Sequence, residues 1–174
     1  MGWGATAMTW VVAVALVGNT SRDPEFMTFD AEARRVDLAV ISAFDQSNSG
    51  YNFNGASHGT HQVTVPVGWQ VRIAFSNHDV IPHSVVVIRQ PKTLPLRIAG
   101  PAFRGAASRS FQQGLPPGAQ DYFTFVASPA GDYLIACGST GHLVLGAFLR
   151  LRVSHEVSTP TYERIPRPAT VQHH

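Results

Sequence analysis

Apolar residues recur at every second position over several short stretches of the chain. Val63, Val65 and Val67 share one face of His61 to Val67. Val71, Ile73 and Phe75 do the same from Trp69 to Phe75, and Phe123 and Phe125 alternate within Asp121 to Val126. Tyr133, Ile135 and Cys137 line one side of Asp132 to Cys137, and Leu149, Leu151 and Val153 line one side of Phe148 to Val153. Two further runs, Val36 to Ile41 and Val85 to Ile88, are apolar enough to be buried strands. A period of two in β-branched and aromatic residues, punctuated by Gly, Pro and Asn, predicts seven or eight short strands. No long segment of period 3.6 competes with them. The fold class this implies is all-β, a Greek-key β-sandwich.

Residues 89–120 break the rhythm. They hold Pro91, Pro95, Pro101, Pro116 and Pro117, with Gly100, Gly105, Gly114 and Gly118. A loop of this length is usually functional or partly structured. It carries Arg89, Lys92, Arg97, Arg104 and Arg109 and no acid, so it is read either as a solvated connection, the preferred reading, or as a docking surface for an acidic partner. The expected organisation is an apolar N-terminal extension over residues 1–30, a single domain over 31–155 and a C-terminal tail over 156–174. No residue from Met1 to Ser21 is charged, and Trp10 to Val17 is strongly apolar. That stretch is shorter than the roughly 18–20 residues of a membrane span and lacks the basic start of a signal peptide. It is read as a trimmed anchor or signal, through which the protein would associate with a membrane, or as an ordered strand. The segment Arg22 to Phe26 is read as vector-derived or native, and His173 and His174 as the start of a tag.

Composition narrows the function classes. With 174 residues there is room for one domain. Charged residues make up 14% of the chain against about 25% in an average soluble protein, which excludes disordered and coiled-coil classes. The net charge of +2, with no Lys/Arg-rich run, argues against nucleic-acid binding. Few carboxylates mean few pairs that acid can break, which suits an acidic compartment; a compact β domain with a plain surface would look the same.

The single cysteine, Cys137, forms no internal disulfide. A buried small hydrophobe is the commonest fate of such a residue. Its neighbours favour another reading. Cys137 ends a strand and is followed by Gly138-Ser139-Thr140-Gly141-His142. Upstream, Pro82-His83-Ser84 leads into the apolar run at Val85. One thiolate and two imidazoles from separate strands make the donor set of a trigonal copper site. Zinc prefers four ligands, and the sequence offers no obvious fourth.

Three segments resemble a known family. Asn77 to Val85 is similar to the Asn…Pro-His-Ser/Asn-Val segment of cupredoxins. Cys137 to His142 is similar to the Cys-x₄-His copper loop of rusticyanin and sulfocyanin. Tyr51-Asn52-Phe53-Asn54-Gly55-Ala56-Ser57-His58-Gly59 resembles a sulfocyanin stretch. They occur in family order over residues 36–153, and within the group the resemblance extends to the cupredoxin that partners cytochrome c oxidase in acidophilic iron oxidisers. The resemblance implies one copper ion held by His83, Cys137 and His142. It also implies that the Ser84 N–H donates to the Cys137 sulfur, and that the His142 ring edge faces solvent within an apolar patch. Asn77 is read either as tying the ligand loops together or as an ordinary turn residue. The family's weak axial Met falls at Ala147, which has no donor atom. The site is then three-coordinate, or takes a backbone carbonyl or water, or carries a Met→Ala replacement, the preferred reading.

The function implied is extracytoplasmic, periplasmic one-electron transfer through type 1 copper in an acidophile respiratory chain, with a c-type cytochrome or cytochrome c oxidase as partner. Two alternatives stand beside it: an open axial site that binds a small ligand or does redox catalysis, and an oxidase-associated copper or assembly module. A cysteine-protease-like pair fails, since Cys137 is placed at a strand end with no helix N-terminus to activate it. His58 and His61 flank Gly59-Thr60 and are read as loop residues, with a second metal site as the competing reading. His78 and His155 are read as solvated. Protonated imidazole does not bind metal, and the apolar Leu143 and Val144 beside His142 lead us to expect copper binding that persists at low pH.

Overall fold

The computed structural model of the protein describes residues 26–165. The apolar run Trp10 to Val17 and the terminal His pair lie outside them. Among the described residues no helix is long and apolar enough to cross a membrane.

Among the described residues nine strands form two sheets: β1 (Met27–Asp30), β2 (Arg35–Ser42), β3 (His61–Pro66), β4 (Gln70–Asn77), β5 (Val86–Arg89), β6 (Gln120–Val126), β7 (Gly131–Ala136), β8 (Phe148–Ser154) and β9 (Thr161–Arg164). One sheet has the order β1-β2-β4-β6 and the other β5-β7-β8-β3-β9. Both are mixed: β2 runs parallel to β4, β3 parallel to β8, and the other pairs are antiparallel. The period of two sets which residues face inward. In β2, Val36, Leu38 and Val40 are buried while Asp37 and Ala39 are only half-buried. These side chains meet Val63, Val65, Ile135, Leu149 and Leu151 of the opposite sheet to form the main core.

The expected limits at residues 31 and 155 fall inside this frame. β1 pairs with β2 from Met27↔Leu38 to Asp30↔Arg35, and β9 pairs with β3 from His61↔Arg164 to Thr64↔Thr161. Both are four-residue edge strands with no fully buried side chain, too short to show a period.

The long connection is also corrected. Residues 89–120 are not a solvated link. Val85 and Val87 face the main core, while Val86 and Ile88 face a second cluster with Leu134, Ala136, Leu143 and Ile98, against which Leu94, Ala107 and Phe111 pack. A β5–β7 pair apolar on both faces must be covered on both. The connection does this and also caps the free edge of β5, where Val87 N donates to Ala106 O and Ser108 N donates to Val85 O. Its basic side chains, Lys92, Arg97, Arg104 and Arg109, remain exposed.

Candidate metal centre

The site lies where β4, β5, β7 and β8 end or begin. Asn77, the last residue of β4, is fully buried, and its amide is satisfied on both sides. Nδ2 donates to the carbonyls of Ile81 and Leu115, both at 2.9 Å, while Oδ1 accepts from Ser42 Oγ at 3.0 Å and Asp79 N at 2.9 Å. Asn77 thus holds together the end of β2, the turn before His83 and the end of the long connection. A buried amide with every bond made fixes its surroundings, because losing any partner leaves an unsatisfied polar group.

His83 follows this turn and is fully buried. Its backbone pairs with Leu115, donating to Leu115 O and accepting from Leu115 N. Its Nδ1 points at Cys137 Sγ, 3.6 Å away, and its Nε2 lies 2.9 Å from Asp79 Oδ2. Cys137 follows β7 directly and is also fully buried. Its N–H donates to Ala147 O, and Ala147 N donates to His142 O, so backbone bonds close the loop between the thiol and the second imidazole. His142 Nδ1 lies 3.4 Å from Cys137 Sγ and 3.3 Å from His83 Nδ1. The Tyr51 ring stands edge-on to the His142 ring, with centroids 5.0 Å apart.

This triangle fits a metal. Sides of 3.3, 3.4 and 3.6 Å put the common centre about 2 Å from each donor, close to the roughly 2.0–2.3 Å of metal–imidazole and metal–thiolate bonds. His83, Cys137 and His142 are the only cluster of metal-type side chains among the described residues. The surroundings of the thiol favour its ligating form. Burial pushes its pKa up, but hydrogen bonds and charge from His142 and His83 outweigh that and lower it to about 5. Burial pushes the His83 pKa down, and the contacts with Cys137 and Asp79 raise it to a net value above its ordinary one. Soft thiolate with two imidazoles and no hard oxygen ligand is a copper-type donor set.

The sulfur has a further partner. Ser84 N–H donates to Cys137 Sγ at 3.4 Å. Ser84 Oγ donates to Phe111 O and accepts from Gly138 N at 2.9 Å, tying the segment before β5 to the long connection and to the turn after the cysteine. A side chain at Gly138 would fall 2.6 Å from Phe111 O, so only glycine lets the long connection approach there. Ala147 is fully buried and presents only a methyl. Its carbonyl is engaged by Cys137 N–H and that of Gly146 by His58 N–H.

His58 and His61 have different neighbours. His58 Nε2 faces Asn48 Oδ1 at 3.3 Å, whereas His61 lies beside Thr60 and the Tyr162 ring. His78 and His155 are exposed. Three contributors were not legible from the sequence. Asp79 sits in a turn whose geometry spacing does not reveal. Tyr51 belongs to the Asn-rich stretch of the sulfocyanin resemblance, whose spacing does not show that its ring meets His142. Asn48 spans that stretch and the ligand loop, its Nδ2 donating to Tyr51 O and Leu145 O.

Residues 24–164 match the family model described as the Sulfocyanin (SoxE) domain. The sulfocyanin of Sulfolobus acidocaldarius is 26% identical over 139 residues, covering 76% of this chain and 70% of that protein. Crystal structures of substituted rusticyanins superpose with a TM-score of 0.53 at 16% identity, over 70% of this chain and 78% of theirs. Reduced auracyanin from Roseiflexus castenholzii gives 0.49 at 20% identity, over 68% of this chain and 96% of its own.

Proposed function

The chain belongs to the Sulfocyanin (SoxE) domain family, a cupredoxin group, and we propose that His83, Cys137 and His142 hold its single copper ion for electron transfer between redox proteins outside the cytoplasm. Proteins of this family are copper electron carriers, and this chain is a carrier rather than an enzyme. The observation that carries the assignment of ligands is the convergence of one thiolate and two imidazole nitrogens on a common centre.

Bound copper supplies the one-electron couple. The protein supplies the frame. His83 is locked by backbone pairing with Leu115, and Cys137 by its bond to Ala147 O. Such preorganised donors need little rearrangement when charge changes. The Ser84 N–H spreads negative charge away from sulfur, a bond of the kind that tunes a metal site. His142 is the ligand nearest the surface. The exposed Val144 and Leu145 follow it, Val80 lies in the turn before His83, and Leu96 O accepts from Gly141 N. These side chains offer a small apolar contact face, which suits the brief, low-area encounters of redox partners.

A c-type cytochrome or cytochrome c oxidase is the proposed partner class, and an acidophile respiratory chain the proposed setting. Only 11 acidic residues in 174 support the latter, since few carboxylate pairs are then lost on acidification. Mixing the copper(II) protein with a reduced c-type cytochrome, and following both visible spectra, tests the function. One electron passed per protein supports it; no exchange contradicts it. Protease accessibility in intact spheroplasts tests the location: cleavage supports an extracytoplasmic site and protection contradicts it.

A further inference from the structure

His83 uses both of its nitrogens. Nδ1 faces Cys137 and His142, and Nε2 faces a carboxylate oxygen of Asp79 at 2.9 Å. His83 is fully buried, while the Asp79 side chain is 18% exposed. Asp79 is itself fixed. Its backbone N–H donates to Asn77 Oδ1, and its second carboxylate oxygen accepts from Val80 N at 2.6 Å. Gly50, at φ +82°, makes room for it: a Cβ there would lie 3.2 Å from Asp79 Oδ2. The other ligand imidazole has no such carboxylate among the described residues, since His142 contacts Cys137, His83 and the Tyr51 ring.

A carboxylate accepts hydrogen bonds and donates none. Facing Nε2, it accepts the ring proton there, so that Nδ1 is the nitrogen left to bind a metal beside the thiolate and the second imidazole. It also places negative charge against the back of the ring. Partners of this kind orient a ligand and raise its basicity, and their removal typically costs about 10–100-fold in metal affinity.

We propose that Asp79 is a positioning residue for the metal centre: through Nε2 of His83 it fixes the ligating nitrogen and holds the site's reduction potential down by favouring copper(II) over copper(I). This rests on the assignment of His83, Cys137 and His142 as the copper ligands. Nothing in the spacing of Asp79 and His83 along the chain reveals it, because the two meet across a turn rather than on a helix face.

Two variants separate charge from hydrogen bonding. Asp79→Asn keeps an acceptor for Nε2–H and removes the charge; Asp79→Ala removes both. Each protein, with the parent, is titrated with copper(II), its reduction potential is measured, and hydrogen exchange of the His83 Nε2–H is followed by NMR in the diamagnetic copper(I) form. Both variants are expected to keep the thiolate-to-copper band. Copper(II) binding is expected to weaken about tenfold relative to copper(I) in Asp79→Asn, a rise of about 59 mV for one electron. The Nε2–H is expected to exchange slowly in the parent and in Asp79→Asn, and fast in Asp79→Ala. An unchanged potential in Asp79→Asn, with the band intact, overturns the inference and leaves the ligand assignment standing. Absence of the band in the parent overturns the ligand assignment, and the inference with it.

Discussion

The two imidazoles of the site sit in opposite surroundings. His83 is fully buried, paired through its backbone with Leu115 and bonded at its far nitrogen to Asp79. His142 is half-buried, on a loop closed by backbone bonds, with Tyr51 against its ring and the exposed Val144 and Leu145 following it. The same donor atom, Nδ1, faces Cys137 in both. The inner half of the site therefore sets the ligand geometry, and the outer half connects it to the surface. An electron carrier needs both: a frame that does not move when charge changes, and one ligand close enough to a partner to pass the electron.

The sharpest way to break that comparison is to remove each ring and offer it back. His83→Gly and His142→Gly should both abolish the thiolate-to-copper band. Added imidazole should restore it in His142→Gly, whose vacated space opens toward solvent, and not in His83→Gly. Equal rescue of the two, read in the visible spectrum, would erase the distinction.

The thiol comes next. In the copper-free protein its ultraviolet thiolate absorbance should titrate with a midpoint near 5, far below the ordinary thiol value of 9.0. Because the folded value is depressed, the stabilisation from this ionisation is complete above 9.0 and is lost as pH falls through about 5. His83 has the opposite sign. Its raised value makes its contribution complete below the ordinary 6.5 and lost as pH rises through the folded value. Denaturant unfolding of the copper-free protein from neutral pH to below 5 should show the acid-side loss, and a thiol midpoint near 9.0 would contradict the assignment.

Asn77→Ala should act on the inner half. It strands the Ile81 carbonyl, the Ser42 hydroxyl and the Asp79 N–H, and takes from the Leu115 carbonyl one of its two donors; unsatisfied buried groups cost about 1–3 kcal/mol each. A fall of at least that size in unfolding free energy is expected. A loss below 0.5 kcal/mol, outside the range usual for a buried polar partner, would count against this role.

The smallest expected change is at Ala147. If a thioether reaches the metal there, Ala147→Met adds a weak donor that favours copper(II), so the potential of a dry site should fall, and azide should perturb the visible spectrum less than in the parent. A rise in potential would mean that Ala147 leaves space for water or an anion.

Much of the fold is legible in the sequence because seven strands bury one face and expose or separately cover the other. Val63 and Val65, or Tyr133 and Ile135, carry that signal plainly. The edge strands Met27–Asp30 and Thr161–Arg164 do not, since four residues with no fully buried side chain have no period to read. The long connection misled for a related reason. Its buried residues, Ile98, Phe103, Ala106 and Leu115, are scattered among Pro and Gly, and what they cover belongs to a distant strand. The donors Cys137 and His142 are legible because one loop carries both, and His83 because Pro82 and an apolar run frame it. Asp79 and Tyr51 are not, because their roles depend on how turns bring them against the imidazoles.

The central claim, a single copper held by His83, Cys137 and His142, is tested most directly by anaerobic titration of the purified protein with copper(II), followed by optical and EPR spectroscopy. The account predicts an intense thiolate-to-copper band that saturates at one equivalent, a single copper EPR species, and loss of the band in Cys137→Ser. Copper binding with no such band, or a Cys137→Ser protein with an unchanged spectrum, would contradict it.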